Sequence, residues 1–291
     1  MALNSLLTLC PDGPDRFIAL PENGAEGRVF GGLLLFHALL AALATVEGER
    51  PAHSLHANFQ HAGNRERPLV YTVDRMRDGR SYSTRSVLAE QDGRLVLDAR
   101  VSCQVPADGL AFTASPMPDV PPPETLRSEA ELREEALRRT DVEWVGSLVM
   151  GGMGVEMRPV CPRDFVNPRV MAPVQHFWVR PVQPVEGDWR KQQAALAYMS
   201  DMMLLSTTLL PHGIYWSTTA MDSASLDHVI WFHDQPRFDD WMLWSLEAPW
   251  TGGSRGLALG RFYNRDGALV ATVAQEGLIR LRGTDQGREI L

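Results

Sequence analysis

The chain lacks most of what would mark a nucleic-acid partner, a secreted scaffold or a membrane protein. Of 28 basic residues only Lys191 is a lysine, and against 36 acidic residues the formal net charge is −8. No basic block stands out, so a nucleic-acid partner is not expected. There are three cysteines, Cys10, Cys103 and Cys161, odd in number and far apart. That excludes a disulfide framework and a CxxC metal site, and it points to a reducing, cytoplasmic setting. The longest apolar run, GGLLLFHALLAALATV, falls short of the ~20 residues that span a membrane and carries His37 in its middle. It reads as a helix buried inside a folded protein. The N-terminal MALNSLLTLCPDGPD has no basic stretch and no long apolar core, so no signal peptide is expected.

Several familiar site patterns are missing as well. No dinucleotide-binding glycine fingerprint occurs, and GGMG at 151–154 lacks the Gly-Lys-Ser/Thr of a phosphate loop. GGSRG at 252–256 matches the G-x-S-x-G elbow, but the LALGRFY after it alternates like a strand. The last histidine, His233, also precedes Ser254, whereas a hydrolase triad of that type needs one after it. A glycine-rich hairpin turn is the reading for GGSRG. His53, His56 and His61 are not joined by a carboxylate at ligand spacing, and His53 and His56 point to opposite faces of a strand. No metal and no cofactor is expected.

What is present is an internal repeat in a 291-residue chain that is 44% hydrophobic. Two segments each open on a His-containing aromatic stretch, His56 to Phe59 and His228 to Phe232. Each later reaches a DG pair, Asp92-Gly93 and Asp266-Gly267. The spacings from Phe to Asp are 33 and 34 residues. DG between alternating runs signals a hairpin. Upstream of each segment lies an unusually apolar helix candidate, GGLLLFHALLAALATV in one and QQAALAYMSDMMLLSTTLL in the other. A helix apolar all round is expected to be enclosed. The reading is therefore an α+β chain made of two halves, each an antiparallel sheet wrapped around a buried helix. The halves are 1–108 and 153–291, with 109–152 as a linker. Within the linker, Ser128 and Glu131 have capping-box spacing ahead of a charged, solvated helix. GVEMRPV at 154–160 and HFWVRPV at 176–182 alternate like strands and open the second half.

Two residues break the apolar pattern. Asp201 lies inside the second helix candidate, while the first has no acid anywhere in 31–46. On the last strands, Leu95, Leu97, Ala99 and Val101 form one face in the first half. Leu269, Ala271, Val273 and Gln275 form the matching face in the second. An unpaired amide on such a face costs on the order of 1–3 kcal/mol, so Gln275 needs a partner, and Asp201 sits on the helix that this face should cover. On these residues alone, a working site and a buried Asp–Gln hydrogen bond that only fixes packing are both open. Helical spacing would place Asp201 on one face with Ala197, Tyr198, Leu204 and Leu205.

The chain resembles the type II acyl-CoA thioesterases. The resemblance is carried by RVFGG (28–32), HSLHANF (53–59), RDGRSYSTRSVLAEQDGRLV (77–96), YMSD (198–201), LLPHG (209–213), LDHVIWFH (226–233) and SRG followed by FYNRDGALVATVAQEG (254–277). It implies a tandem (double) hot-dog fold and hydrolysis of acyl-CoA to a free acid and CoA. The family's water-activating Asp, hydroxyl residue and Gln fall on Asp201, Ser225 and Gln275, with Ser in place of the family's Thr. Leu33 stands where the family usually has Gln, and His61-Ala62-Gly63 where it often has Arg-Pro-Gly. The resemblance also implies an apolar acyl tunnel, for which Met199, Met202 and Met203 are candidate lining or plain core. Sheet edges suited to homo-oligomers are implied too. A non-catalytic acyl-CoA binding protein is a second reading. An enoyl-CoA hydratase is a third, but its D-x-N-P-x-H pattern is missing.

Overall fold

The computed structural model describes residues 8–21, 27–139 and 153–283. Parts of the expected linker (140–152) and of the second half (284–291) lie outside the described residues. The first half contains strands β1 (Cys10–Pro11), β2 (Arg16–Ala19), β3 (Ala52–Phe59), β4 (Leu69–Asp78), β5 (Tyr82–Gln91) and β6 (Arg94–Gln104), with helix α1 (Gly31–Ala44). Helix α2 (Glu129–Arg138) follows. The second half contains β7 (Val155–Pro159), β8 (Val174–Pro181), helix α3 (Trp189–Ser200), a single turn α4 (Leu204–Thr207) and strands β9 (Met221–Ser225), β10 (Asp227–Phe232), β11 (Met242–Gly252), β12 (Arg255–Asn264) and β13 (Leu269–Leu281).

Every strand among the described residues joins one antiparallel sheet, in the order β1-β2-β4-β5-β6-β3-β10-β13-β12-β11-β8-β7, with β9 on β13. The halves meet where β3 pairs with β10, Leu55 opposite Ile230. These are the two aromatic stretches that opened the repeat, so the repeat units join edge to edge and neither leaves that edge open. The hairpins fall on the expected turns. Asp92 and Gly93 both have positive φ, as do Gly253 and Ser254, the conformation of a two-residue type I′ turn. GGSRG is thus the turn between β11 and β12.

Both long helices are enclosed. Leu34, Leu35, Phe36, Leu39 and Leu43 of α1 are buried, as are Ala194 to Met199 of α3. A buried side chain of that size contributes about 1.5–3 kcal/mol, so the two helices are the centre of the core. They pack on each other so closely that a Cβ on Gly32 would lie 2.3 Å from the Tyr198 carbonyl oxygen. Gln193 of α3 reaches the first half and bonds both the backbone N–H (2.9 Å) and the C=O (2.7 Å) of Ala52. A side chain thereby completes strand β3.

Two expectations need correction. The apolar run around Asp201 is not one helix. It ends at Ser200 with Asp201 as its C-cap, and Met203 takes φ +67° before α4 begins. Helical spacing therefore does not put Asp201 on one face with Leu204 and Leu205. The break is stable because its carbonyls find donors. The Trp244 indole N–H bonds Met202 O (2.8 Å), and the hydroxyls of Ser206 (2.8 Å) and Thr207 (2.9 Å) bond Met203 O. The second correction concerns the linker helix α2. Its capping box between Ser128 and Glu131 is present, but the helix is not solvated on every side. Glu129 is buried, which raises its carboxyl to about 7 against the pull of Arg163 and Arg133.

Candidate active site

Asp201, Ser225 and Gln275 are far apart in the chain and adjacent in space. Gln275 Nε2 donates to Ser225 Oγ at 3.0 Å, and Ser225 Oγ donates to Asp201 Oδ1 at 3.5 Å. Asp201 and Gln275 are buried and Ser225 is half-buried. The expected strand faces hold for three residues of each four: Leu97, Ala99 and Val101 are buried in one half, and Ala271, Val273 and Gln275 in the other. A register shift at the start of each strand leaves Leu95 and Leu269 half-buried and buries Val96 and Val270 instead. Each element has a distinct part in this. The helix break turns Asp201 out of the α3 ladder, β13 supplies Gln275 from its inner face, and Ser225 ends β9 opposite Gly277. Leu226 interrupts the strand there, and its carbonyl is taken by the Phe59 N–H of the first half.

The first half contributes the start of α1. The Gly32 backbone N–H bonds the Asp201 carboxylate, and the positive end of a helix favours an anion at that place. A Cβ on Gly31 would lie 2.6 Å from Asp201 Oδ2 and 3.2 Å from Phe59. The glycines let the backbone come within bonding distance of the acid. Gly31→Ala is expected to displace the carboxylate and lower kcat by about 10²-fold, the scale of an ~1 Å misplacement. Steady-state kinetics on the purified variant checks this, and an unchanged kcat would refute it.

Burial pushes the Asp201 carboxyl above the usual carboxylate range, opposed by the neighbouring His228 and by hydrogen bonds from Gln275, Gly32 and Ser225. Sequence reading missed His228. It is fully buried, with Nδ1 2.6 Å from Gln275 Oε1 and Nε2 2.8 Å from Ser200 Oγ. Burial holds its imidazole below the usual range. The signal for it was an alternation: in LDHVIWF, His228 shares a strand face with Ile230 and Phe232.

Sequence reading also missed a polar intrusion in the first half. Both intrusions had been expected in the second, but Arg85 is fully buried on β5 opposite Val101. It donates to Thr45 Oγ1 (2.8 Å) and Thr45 O (3.1 Å). Thr45 caps the C-terminal end of α1 as Asp201 caps α3. One helix end is thus filled by a guanidinium. The other keeps a carboxylate that, among the described residues, has no arginine or lysine as a hydrogen-bond partner.

Gly31 and Ser225 open onto a cavity of about 580 Å³ that is also lined by Arg28, Leu34, Phe59 and Arg282. His61, Ala62 and Gly63, which depart from the family pattern, face the same cavity. Met199, Met202 and Met203 do not line it and are buried in the core. Leu33, the other departure, is also buried in the core. His53, His56 and His61 are tied to Ser102, the Trp231 ring and the Leu95 carbonyl respectively. No cluster of His, Cys, Asp and Glu suited to a metal occurs among the described residues. No helix among them is long and apolar enough to cross a membrane.

Comparison with known proteins adds independent findings. Residues 152–278 match a family model described as acyl-CoA thioesterase, and residues 20–104 match one described as acyl-CoA thioesterase N-terminal domain. The chain is 39% identical to acyl-coenzyme A thioesterase 8 of Homo sapiens over 96% of its own length and 89% of the relative's. It is 33% identical to acyl-CoA thioesterase 2 of Haemophilus influenzae, covering 87% of this chain and 88% of that one. A crystal structure of an acyl-CoA thioesterase II from Mycobacterium marinum superposes with a TM-score of 0.78 at 31% identity, covering 99% of this chain and 100% of that one. A hot-dog protein from Alicyclobacillus acidocaldarius, at 19% identity and a TM-score of 0.75, shares the fold.

Proposed function

This chain belongs to the acyl-CoA thioesterase family, and we propose that it hydrolyses acyl-CoA with water activated by Asp201, Ser225 and Gln275. It is a thioester hydrolase of double hot-dog fold. The observation that carries the site assignment is the hydrogen-bonded set Gln275–Ser225–Asp201, whose Ser225 lines a cavity.

In the proposed reaction, water held by Asp201 and Ser225 attacks the thioester carbonyl carbon as its proton passes to the Asp201 carboxylate. The negative charge gathers on the carbonyl oxygen, at the positive end of α1. Collapse of this intermediate breaks the C–S bond, and the proton on Asp201 goes to the departing thiolate. General-base help of this kind is worth roughly 10²–10⁴-fold. Ser225 in place of a threonine keeps the hydroxyl that donates to Asp201. The cavity would take the acyl-CoA, and Arg28 and Arg282 on its lining suit the anionic phosphates of CoA.

Release of free thiol from a panel of acyl-CoAs tests the assignment. Gln275→Ala and Ser225→Ala are expected to lose roughly tenfold or more in kcat, the scale of one hydrogen bond to a charged group. Full activity in both would refute their roles.

We take residues 1–108 and 153–291 as the two halves and 109–152 as the linker. A cytoplasmic setting is supported by the three cysteines, none of which is paired in a disulfide. Homo-oligomers are expected through β1 or β7, the two ends of the sheet among the described residues, and the mass in solution checks this.

A further inference from the structure

The geometry points to His228 as a positioning residue that fixes the amide of Gln275 by donating from Nδ1, an inference that rests on the proposed roles of Asp201, Ser225 and Gln275. The reasoning starts from the carboxylate. An ionised Asp201 can only accept hydrogen bonds. The amide of Gln275 bonds to it and lies 3.0 Å from Ser225 Oγ, so the NH₂ end faces the acid and the hydroxyl. The amide oxygen must then face the other way, and there it meets His228 Nδ1 at 2.6 Å. Two bare acceptors cannot stand at that distance, so Nδ1 carries a hydrogen.

His228 is fully buried, and its other ring nitrogen, Nε2, lies 2.8 Å from Ser200 Oγ, whose own hydrogen goes to the Ala197 carbonyl at 2.8 Å. The ring is thus held from both sides, by Ser200 and by Gln275. The donors His228 Nδ1, Gln275 Nε2 and Ser225 Oγ then point one after another toward Asp201. No other orientation of the amide lets Ser225 donate to the carboxylate, because a reversed Gln275 would offer Ser225 an oxygen and compete for its hydrogen. Cross-strand pairing holds the geometry, since Val229 opposite Ala274 sets His228 beside Gln275.

The test has two arms. In ¹⁵N-histidine-labelled wild type at neutral pH, the signal that disappears in His228→Asn should be an imidazole with Nδ1 protonated. A ring whose Nδ1 is bare would overturn the inference. In the second arm, kinetics of thiol release is followed for His228→Leu and His228→Asn, each alone and combined with Gln275→Ala. His228→Leu should lower kcat by roughly tenfold, no more than Gln275→Ala does, with KM little changed. His228→Asn should recover most of that loss, because its amide nitrogen can take the place of Nδ1. In the Gln275→Ala background, His228→Leu should cost little more. An undiminished loss in that background would overturn the inference while leaving the water-activation reading intact. Full activity of Gln275→Ala alone would overturn both.

Discussion

Asp201→Asn is expected to lower kcat for acyl-CoA hydrolysis by roughly 10²–10⁴-fold, the range of a lost general base, while substrate binding is retained. The amide keeps the shape and can still accept from Gly32 N–H and Ser225, but it cannot take a proton from water. Single-turnover thiol release and equilibrium binding of the same acyl-CoA separate the two effects. Turnover close to the wild-type rate would remove Asp201 from the site. The pH profile follows from the same group. Burial raises the Asp201 carboxyl above its ordinary range near ~3.9, so the acidic limb of kcat/KM should lie above that range and vanish in the Asn variant.

The stability effect has the opposite sign. The folded state binds the Asp201 proton more tightly than the unfolded chain, so folding stability contributed by this group falls as pH rises from the unfolded value through the raised folded one. Above that window the buried charge is a standing cost. Asp201→Asn should therefore melt higher than wild type at neutral pH, by about 2–4 °C for each kcal/mol relieved, and the difference should shrink as both are acidified. A gain in stability with loss of turnover is the signature of a functional group held against its burial cost.

Arg85→Met should have the largest effect on stability. The Met chain fills part of the Arg stem but carries no donor. It leaves the carbonyls of Thr45, Arg77 and Thr84 without the guanidinium that now serves them at 3.0–3.1 Å. Orphaned buried acceptors cost about 1–3 kcal/mol each, which applies to the two Thr45 oxygens, and the vacated volume adds a cavity term. A loss of ~3–5 kcal/mol is expected, lowering the melting midpoint by roughly 6–20 °C. Asp78, the carboxylate on Arg85 among the described residues, is about half exposed, so its release into water adds little. Thermal melting with turnover measured below the new midpoint checks both parts. A loss under ~1 kcal/mol would mean that Arg85 is not the plug of that helix end.

How much of this could be read from residues alone depends on the range of the interaction. The two-half α+β plan came from local pattern: apolar runs too greasy for a surface helix, alternation on the strands, and DG pairs with matched spacing. Asp201 and Gln275 stood out because a charge or an amide among apolar neighbours needs a reason. Comparing the last strands exposed Gln275 but passed over Arg85, which lies on the preceding strand. His228 was hidden for another reason. An imidazole in an alternating strand is ordinary, and only its partners, Gln275 47 residues away and Ser200 28 away, give it a part.

The linear pattern determined which segments are helix and strand, because hydrophobic periodicity and turn chemistry act over a few residues. It also marked the two polar residues that burial would otherwise forbid. Tertiary structure decided the rest. Hydrophobic character alone predicted one long helix through Asp201, but the break came from Trp244, Ser206 and Thr207 capturing its carbonyls, and this break lets the acid leave the helix ladder. The joining of β3 to β10 and the close approach of Gly31 and Gly32 to α3 set a helix start from one half against a helix end from the other. Contacts of that kind are fixed by packing between segments some 170 residues apart, and periodicity within a segment has no access to them.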